Sequence, residues 1–302
     1  MALNQRSISL GELMQPYAAR AQEAIQRWLI EPACPAELAE AIRYSVLGGG
    51  KRLRPVLVLM AAGACGGNPG DELSLRAAAA VEMVHCYSLV HDDLPAMDDD
   101  VLRRGRPTLH VKFGQAMAIL AGDALLTRAF AVLAEASAGT GAGLGGRVIA
   151  ELAAGCGQSG MVAGQVADMG LCGVEGGIEG LRYIHRCKTG ALIAACGRMG
   201  AICAGADDSQ LSAITQFGQL LGLAFQVADD ILDVTGKAEN IGKTPGKDAA
   251  SGKKTYVSIL GLERAIALSA ELAQQASAAA GAIGPGAGDL ALLAGLLIRR
   301  TH

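Results

Sequence analysis

The chain has 302 residues, a net charge of −3 and only 3% aromatic residues. That length is enough for a sizeable core, and the small net charge excludes a dominant attraction to nucleic acid or to an anionic membrane surface. Ala, Leu and Gly dominate and alternating apolar-polar runs are scarce, so we predict an all-α fold.

Helical segments fill the chain and are separated by short Gly- and Pro-rich breakers. None of the breakers is long or polar enough to be a domain linker, so we expect a single domain over residues 1–302. The breakers occur at residues 31–35, 63–70, 139–146, 170–177, 205–208, 236–252 and 281–288.

The N-terminus and the cysteines indicate the compartment. Residues 1–15 lack the apolar stretch of a secretory signal, and no run of about 18 residues is both apolar and free of charge, Pro or Gly clusters. The 8 cysteines contain no C-x-x-C pair, which is typical of reduced core residues. We therefore expect a cytoplasmic protein without a membrane anchor.

The first basic cluster is GGGKRLRP, at residues 48–55. It places Lys51, Arg52 and Arg54 beside glycines whose backbone can approach an anion closely. Basic groups of this kind bind phosphate directly, and the chain carries several more. They are Arg103, Arg104, Arg106, Lys188, Lys237, Lys243, Lys247, Lys253 and Lys254.

The first acidic cluster is DDLPAMDDD, at residues 92–100. Pro95 disfavours helical geometry at the residue before it and cannot donate a backbone hydrogen bond. Asp98 comes six residues after Asp92, which on a straight helix is about 120° away. Asp98 therefore joins Asp92 only if the chain bulges after Asp93.

The second acidic cluster, DDILD at residues 229–233, lies in strongly apolar helical sequence. At about 100° per residue, Gln226, either Asp229 or Asp230, and Asp233 share one stripe of a helix. A carboxylate buried in such surroundings needs a cation, and ligation to a shared divalent ion removes the repulsion between neighbouring carboxylates. Oxygen ligands together with a phosphate co-ligand suit Mg²⁺.

Acidic clusters that bind metal and basic clusters that bind phosphate occur together in this chain. The combination predicts two diphosphates, one held through metal and one held by Lys and Arg alone. The carboxylate-bearing helices then face each other across a cavity, as functional sites in helical bundles do.

The order of these motifs resembles that of the short-chain trans-prenyltransferases, or polyprenyl synthases, and within them the bacterial farnesyl diphosphate synthases. The resemblance implies a single-domain isoprenoid-synthase helical bundle around a large central cavity, and a homodimer. It covers nearly the whole chain. The matching segments are GGGKRLRP, EMVHCYSLVHDDLPAMDDDVLRRGRPTLH, HRCKTG, FQVADDILDVTG and GKKTYVSILGLERA.

The resemblance also implies roles for individual residues. In that family three Mg²⁺ ions, which Mn²⁺ can replace, hold an allylic diphosphate, dimethylallyl or geranyl, between the two aspartate motifs. The metal ligands would be Asp92, Asp98, Asp229 and Asp233. The allylic diphosphate would contact Arg103, Lys188, Lys243 and Lys253. Isopentenyl diphosphate, which carries no metal, would contact Lys51, Arg54, His85 and Arg104.

The implied reaction is ionisation, condensation and elimination. Metal, Lys and Arg stabilise the departing diphosphate. Thr189, the Lys188 carbonyl and Gln226 stabilise the allylic cation, which the double bond of isopentenyl diphosphate attacks. No side chain is an obvious general base, and the resemblance implies that the released diphosphate takes the proton.

Product length rests on the same resemblance. In the bacterial farnesyl type an aromatic residue five positions before the first aspartate limits chain growth, which implies that Tyr87, with Ser88, forms the floor of the pocket. Tyr87 lies about 7.5 Å below Asp92 along a helix. Helical phase places Ser88, not Tyr87, nearest the Asp92 face.

Several residues keep structural interpretations. We expect His91, His110 and His185 to be hydrogen-bonded core residues. The aspartates without an assigned ligand role, which are Asp93, Asp99, Asp100 and Asp230, are expected to lie behind the metal ligands or at the surface.

Other functions are open alternatives. The same chemistry could give geranyl or geranylgeranyl diphosphate as the main product. A class I terpene cyclase needs no second diphosphate site, so Lys51, Arg54 and Arg104 argue against it. A non-catalytic subunit of a heteromeric synthase usually loses one acidic motif, and both are intact here. A purely structural bundle that binds cations would not require the basic clusters.

Overall fold

The computed structural model describes residues 8–137, 143–174, 176–235 and 254–298, and nearly all of their secondary structure is helical. The predicted all-α fold is confirmed. The helices are α1 (Leu10–Trp28), α2 (Ala36–Val46), α3 (Leu53–Ala64), α4 (Glu72–Asp92), α5 (Leu109–Phe113), α6 (Gln115–Ser137), α7 (Leu144–Cys156), α8 (Met161–Asp168), α9 (Ile178–His185), α10 (Ala191–Cys203), α11 (Asp208–Thr235), α12 (Tyr256–Leu260), α13 (Leu262–Gly281) and α14 (Gly288–Ile298).

Three short elements join these helices. A hairpin of two-residue strands, β1 (Leu102–Arg103) and β2 (Arg106–Pro107), pairs antiparallel after the first acidic cluster. A π-helical turn, Arg186–Gly190, connects α9 to α10, and a 3₁₀ turn, Pro285–Ala287, precedes α14. Lys188, Thr189 and Gly190 therefore lie where a helix widens locally. Such π turns are frequent at functional sites.

Most sequence breakers coincide with the ends of helices. Those at 31–35, 63–70, 170–177 and 205–208 fall between successive helices. The breakers at 139–146 and 236–252 reach into stretches outside the described residues. The assignment of residues 1–302 to one domain stays a prediction.

Helix α4 lies at the centre of the bundle. It packs most extensively against α6 and also contacts α1 and α3. Val81, Met83 and Val84 are each 0% exposed although they point in different directions around the helix, as expected of a helix that is apolar all round. Charged groups on α4 are consequently brought inside the bundle.

The last turns of α11 are held by a second apolar cluster. Val227 and Ile231 of α11 pack in it with Leu181 of α9, Tyr256 of α12 and Leu272 of α13. This packing fixes the second acidic cluster relative to α9 and, through it, to the π turn.

Two helices, Gln115–Ser137 and Asp208–Thr235, reach the length and apolar composition of a membrane span. The first contains Asp123 and Arg128. More than half of the apolar window in the second is buried within the bundle. The absence of a membrane anchor stays a prediction.

Arg52 differs from the role that the basic cluster suggested for it. Its guanidinium is buried and points into the core, where Nη1 donates to Glu82 Oε1 at 2.6 Å and Nη2 donates to the Val46 carbonyl at 2.7 Å. Nε donates to Gln22 Oε1 at 3.1 Å. Its backbone is left-handed, with φ 52°. The guanidinium points into the core because the Glu82 carboxylate on α4 is 2% exposed and requires a cation as its partner. Arg52 therefore ties α4 to the start of α3 and does not face a phosphate.

Replacing Glu82 by Ala leaves the Arg52 charge buried without its carboxylate. We expect the free energy of unfolding to fall by about 3–5 kcal/mol, measured by urea denaturation. The control is Glu135→Ala, which removes an exposed carboxylate 2.6 Å from Arg128 and is expected to cost about 1 kcal/mol or less. Equal costs for the two variants would show that Arg52 does not depend on Glu82.

Candidate active site

The first acidic cluster forms a tight turn at the C-terminal end of α4. The helix ends at Asp92, and the N–H of Asp98 donates to the Asp92 carbonyl at 2.8 Å. Pro95 lies exposed in the turn. This hydrogen bond returns Asp98 to the end of α4, so the bulge that the spacing requires is present.

Asp92 is partly buried at this end of α4. Burial raises the pKa of Asp92 to about 6, and the carboxylate of Asp98 adds to the rise. Lys188 and Arg103 oppose it with positive charge. Side chains from α4, the hairpin and the π turn therefore meet within electrostatic reach of one another. A carboxylate whose charge is costly in this way is stabilised by a bound cation.

The second acidic cluster divides into buried and accessible carboxylates. Asp230 is 7% exposed, and its Oδ2 accepts the N–H of Tyr256 at 2.7 Å, at the start of α12. Asp229 is exposed and Asp233 is half-buried. The expectation that the apolar surroundings bury a metal-binding carboxylate is therefore wrong for Asp229. The buried carboxylate is Asp230, and a backbone N–H is one of its partners.

Thr189 of the π turn and Gln226 of α11 form one polar pair. Thr189 is 7% exposed, and its hydroxyl donates to Oε1 of Gln226. The pair meets because Gly222 and Gly190 face each other, where a Cβ on Gly222 would lie 2.8 Å from the Gly190 Cα. This close approach brings α11 against the π turn one helical turn before Gln226.

Lys188 and Arg103 each have a carboxylate partner. Lys188 Nζ donates to Asp168 Oδ2 of α8 at 2.7 Å. Arg103 Nε donates to both carboxylate oxygens of Asp93, at 2.7 and 2.9 Å. Asp93 is 3% exposed. Both cations are thus held in fixed positions beside Asp92 by buried or partly buried carboxylates.

Arg54 and His85 form a second cationic region, deeper between α3 and α4. Arg54 Nη1 lies 3.2 Å from His85 Nε2. Burial, followed by the positive charge of Arg54, holds the pKa of His85 well below its usual value. His85 is therefore neutral at pH 7, and its Nε2 accepts because a guanidinium can only donate. Within the described residues, the buried Nε of Arg54 has no hydrogen-bond partner.

Arg104 and Arg106 pack against the glycines of the first basic cluster. A Cβ on Gly50 would lie 2.8–2.9 Å from the guanidinium of Arg104, and one on Gly48 would lie 2.8 Å from Arg106 Nη1. Arg104 Nη1 also donates to the Gly49 carbonyl. These glycines therefore admit two guanidinium groups, a role the sequence pattern did not indicate.

The hairpin leaves a small cavity next to the arginines. Its volume is about 50 Å³, which is enough for one or a few water molecules. Arg106 stacks on one wall of it, 4.2 Å from the ring centroid of Tyr44. The cavity is lined by Tyr44, Ser45, Gly48, Cys86, Leu89, Val90, Asp93, Arg103, Arg104, Arg106, Pro107, Thr108 and Leu109.

The remaining predicted residues lie in different settings. Lys51 is exposed beside the glycines. Tyr87 is 8% exposed, and burial raises the pKa of Tyr87 to about 12. Ser88 Oγ donates to the His85 carbonyl of its own helix at 2.9 Å. Lys243 and Lys253 lie outside the described residues.

Two polar residues of α8 were not predicted from the sequence. Asp168 holds Lys188, and both amide atoms of Gln165 are buried without a hydrogen-bond partner in the described parts of the chain. Buried polar groups are nearly always paired, so Gln165 marks a place where a ligand or water binds. The spacing of Gln165 and Asp168, three residues apart in an apolar helix, was the available signal.

The donor set fits a hard divalent cation that takes ligands from a substrate. Within the described residues no group of three or more His, Cys, Asp or Glu side chains is arranged to hold a metal by itself. Carboxylates are nevertheless present on two helices. Mg²⁺ uses one or two carboxylates, water and phosphate oxygens in such sites, so Asp92, Asp98, Asp229 and Asp233 fit that ion. Their ligand roles stay predictions.

Comparison with known proteins agrees with this geometry. The polyprenyl synthetase family model matches residues 35–282. A probable farnesyl diphosphate synthase of Bradyrhizobium diazoefficiens is 46% identical over 285 residues, covering 93% of this chain and 85% of that protein. Geranylgeranyl pyrophosphate synthase 12 of Arabidopsis thaliana is 44% identical over 268 residues, 86% of this chain and 74% of its own length.

A solved structure gives the same fold. The geranyltransferase of Helicobacter pylori, in complex with magnesium and isoprenyl diphosphate, superposes with a TM-score of 0.80 and 34% identity over 97% of this chain and 98% of its own. The helical bundle, with acidic clusters at the C-terminal ends of α4 and α11, thus has the fold of the all-helical isoprenoid synthases. The chain belongs to the polyprenyl synthetase family.

Asp168→Asn removes the carboxylate that holds Lys188. We expect the Michaelis constant of the allylic diphosphate implied by the resemblance to rise about tenfold, because the ammonium loses a charge-assisted hydrogen bond that fixes its position. Steady-state kinetics would measure it. Asp207→Asn, at an exposed helix cap, is the control and should behave as wild type. A rise confined to isopentenyl diphosphate would place Lys188 in the other site.

Proposed function

We propose that the protein is a short-chain trans-prenyltransferase that condenses isopentenyl diphosphate with dimethylallyl and geranyl diphosphate to give farnesyl diphosphate. The observation that carries the proposal is the separation of the cations into two regions. Lys188 and Arg103 lie beside Asp92, whereas Arg54 lies with His85 between α3 and α4. Two anionic headgroups can therefore bind side by side.

The region around Asp92 suits the allylic diphosphate. The carboxylates fit Mg²⁺, which supplies electrostatic stabilisation to the departing diphosphate when bound. Lys188 and Arg103 add positive charge that is already in place before the reaction, because Asp168 and Asp93 hold them. Preorganised charge of this kind stabilises the transition state without the cost of reorganisation.

The π turn suits the allylic cation that ionisation leaves. Thr189 and Gln226 place oxygen dipoles together at a largely buried position. The hydroxyl oxygen keeps lone pairs while its hydrogen is donated to Gln226. The neighbouring apolar side chains of α10 and α11 exclude water from the cation.

The region around Arg54 suits isopentenyl diphosphate. Arg54 has a neutral partner in His85, so its charge is not cancelled by that contact. Arg104 lies over the glycines, within electrostatic reach of His85. Charge-assisted hydrogen bonds from guanidinium groups bind diphosphate without metal. The double bond of this substrate attacks the allylic carbon, and the proton lost afterwards passes to the released diphosphate.

The farnesyl product is supported by Tyr87 and by the similarity to the Bradyrhizobium protein. Similarity to the Arabidopsis geranylgeranyl synthase favours a C20 product as the second candidate.

A homodimer is also proposed, supported by the exposed apolar residues Ile119 and Leu120 on α6. A cytoplasmic location is in keeping with the unpaired state of all eight cysteines. Three Mg²⁺ ions per site, and their replacement by Mn²⁺, belong to the same proposal.

Incubation of the purified protein with Mg²⁺, isopentenyl diphosphate and separate C5, C10 and C15 allylic diphosphates tests the reaction. We expect turnover of the C5 and C10 partners, and loss of turnover by several orders of magnitude in Asp92→Ala and Asp229→Ala. Asp208→Ala, at the exposed start of α11, is the control. Cyclised hydrocarbon made from one substrate alone, or a mild effect of both variants, would refute the proposal.

Tyr87→Ala tests the pocket floor. Removing the ring opens space beyond the C15 chain, so we expect the products to shift toward C20, measured by chromatography of the dephosphorylated alcohols. Tyr87→Phe keeps the ring and should keep the wild-type profile. An unchanged profile in Tyr87→Ala would remove Tyr87 from this role.

A further inference from the structure

His91 and Tyr87 contact each other on the same face of α4. The two residues are four positions apart, and the ring centroids lie 5.7 Å apart with an interplanar angle of 81°. Residues at this spacing are neighbours on a helix surface, and an edge-to-face arrangement is a favoured geometry for two rings. The imidazole therefore restricts the positions that the Tyr87 ring can take.

The imidazole is itself anchored to the neighbouring helix α6. His91 Nε2 lies 3.1 Å from the carbonyl oxygen of Ile119. A carbonyl can only accept, so Nε2 carries the hydrogen and donates it. Asp123 Oδ1 is 3.9 Å from the same nitrogen, too far for a second hydrogen bond. The backbone of α6 thus fixes the orientation of the ring.

Gly122 makes room for this anchor. It is buried on α6, and a Cβ at this position would lie 2.5 and 2.9 Å from Cδ2 and Cε1 of His91 and closer still to Nε2. Any side chain at residue 122 would displace the imidazole from α6. The glycine and the histidine therefore form one fitted contact between α4 and α6.

We infer that His91, seated against Gly122, is a positioning residue for product length. The inference rests on the proposed function, in which Tyr87 forms the floor of the pocket. His91 holds the Tyr87 ring by its edge, and α6 holds His91, so the floor is braced by a second helix. Without this brace the ring has free space on the His91 side and recedes under a growing chain.

The test is the product profile of His91→Ala with isopentenyl diphosphate and C10 or C15 partners. We expect the ratio of C20 to C15 products to rise about twofold to tenfold, the range that one ring-ring contact provides. The first condensation, from the C5 partner, should change little. His110→Ala is the matched control, because His110 contacts Thr108 Oγ1 and neither Tyr87 nor α6's Gly122.

A double-variant cycle separates positioning from a general loss of structure. If His91 acts through Tyr87, adding His91→Ala to Tyr87→Ala lengthens the products no further. A further shift in the double variant would show that His91 acts independently and would overturn the inference. His91→Gln keeps a donor for the Ile119 carbonyl but loses the ring edge. The midpoint of its thermal unfolding should equal that of the wild type, and it should still make longer products.

The outcomes distinguish this inference from the proposed function. A wild-type protein that makes no C15 product contradicts the proposed function. Suppose that the wild type makes C15 and that Tyr87→Ala lengthens the products. If neither His91→Ala nor His91→Gln does so, only the role of His91 is overturned.

Discussion

Positive charge that is buried or half-buried in an apolar helical bundle is the constraint on which this structure depends. Three of these cations form ion pairs with carboxylates: Arg52 with Glu82, Arg103 with Asp93, and Lys188 with Asp168. A buried cation without such a partner destabilises the fold by several kcal/mol. Arg54 is different, since the partner it meets through Nη1 is the neutral imidazole of His85. The charge of the Arg54 guanidinium is therefore matched best by an incoming anion.

Helix α4 organises these charges because it is buried on every side. Glu82, His85 and Asp92 follow one another at intervals of three and seven residues, so one rigid rod carries the structural ion pair, the neutral histidine and the first acidic residue. About 15 Å of helix separates Glu82 from Asp92. The helix is continuous from Glu82 to Asp92, so their relative positions are fixed by the geometry of α4.

The sequence predicted the parts of the site that occur in clusters. DDLPAMDDD and DDILD indicated two acidic helix ends, and the required bulge after Asp93 is present in the hydrogen bond between Asp98 and Asp92. What could not be predicted is which member of a cluster faces inward. GGGKRLRP offered Arg52 and Arg54 as equals, and only the left-handed backbone at Arg52 and the buried Glu82 decide between them. Asp168 has no neighbouring acidic residue within its helix, so the only local signal was its spacing of three residues from Gln165 in an apolar helix.

The residues at the headgroup end and those at the floor of the pocket are constrained by different interactions. Headgroup residues are constrained by charge, because removing one partner leaves another buried and unpaired. Tyr87 and His91 are constrained by shape. Their rings meet edge to face, and the His91 ring fills the space that Gly122 leaves on α6. A volume change at residues 87, 91 or 122 leaves every ion pair of the site intact. Proteins of one family, with names that specify C15 and C20 products, can therefore share the chemistry of diphosphate departure while differing in how far the chain grows.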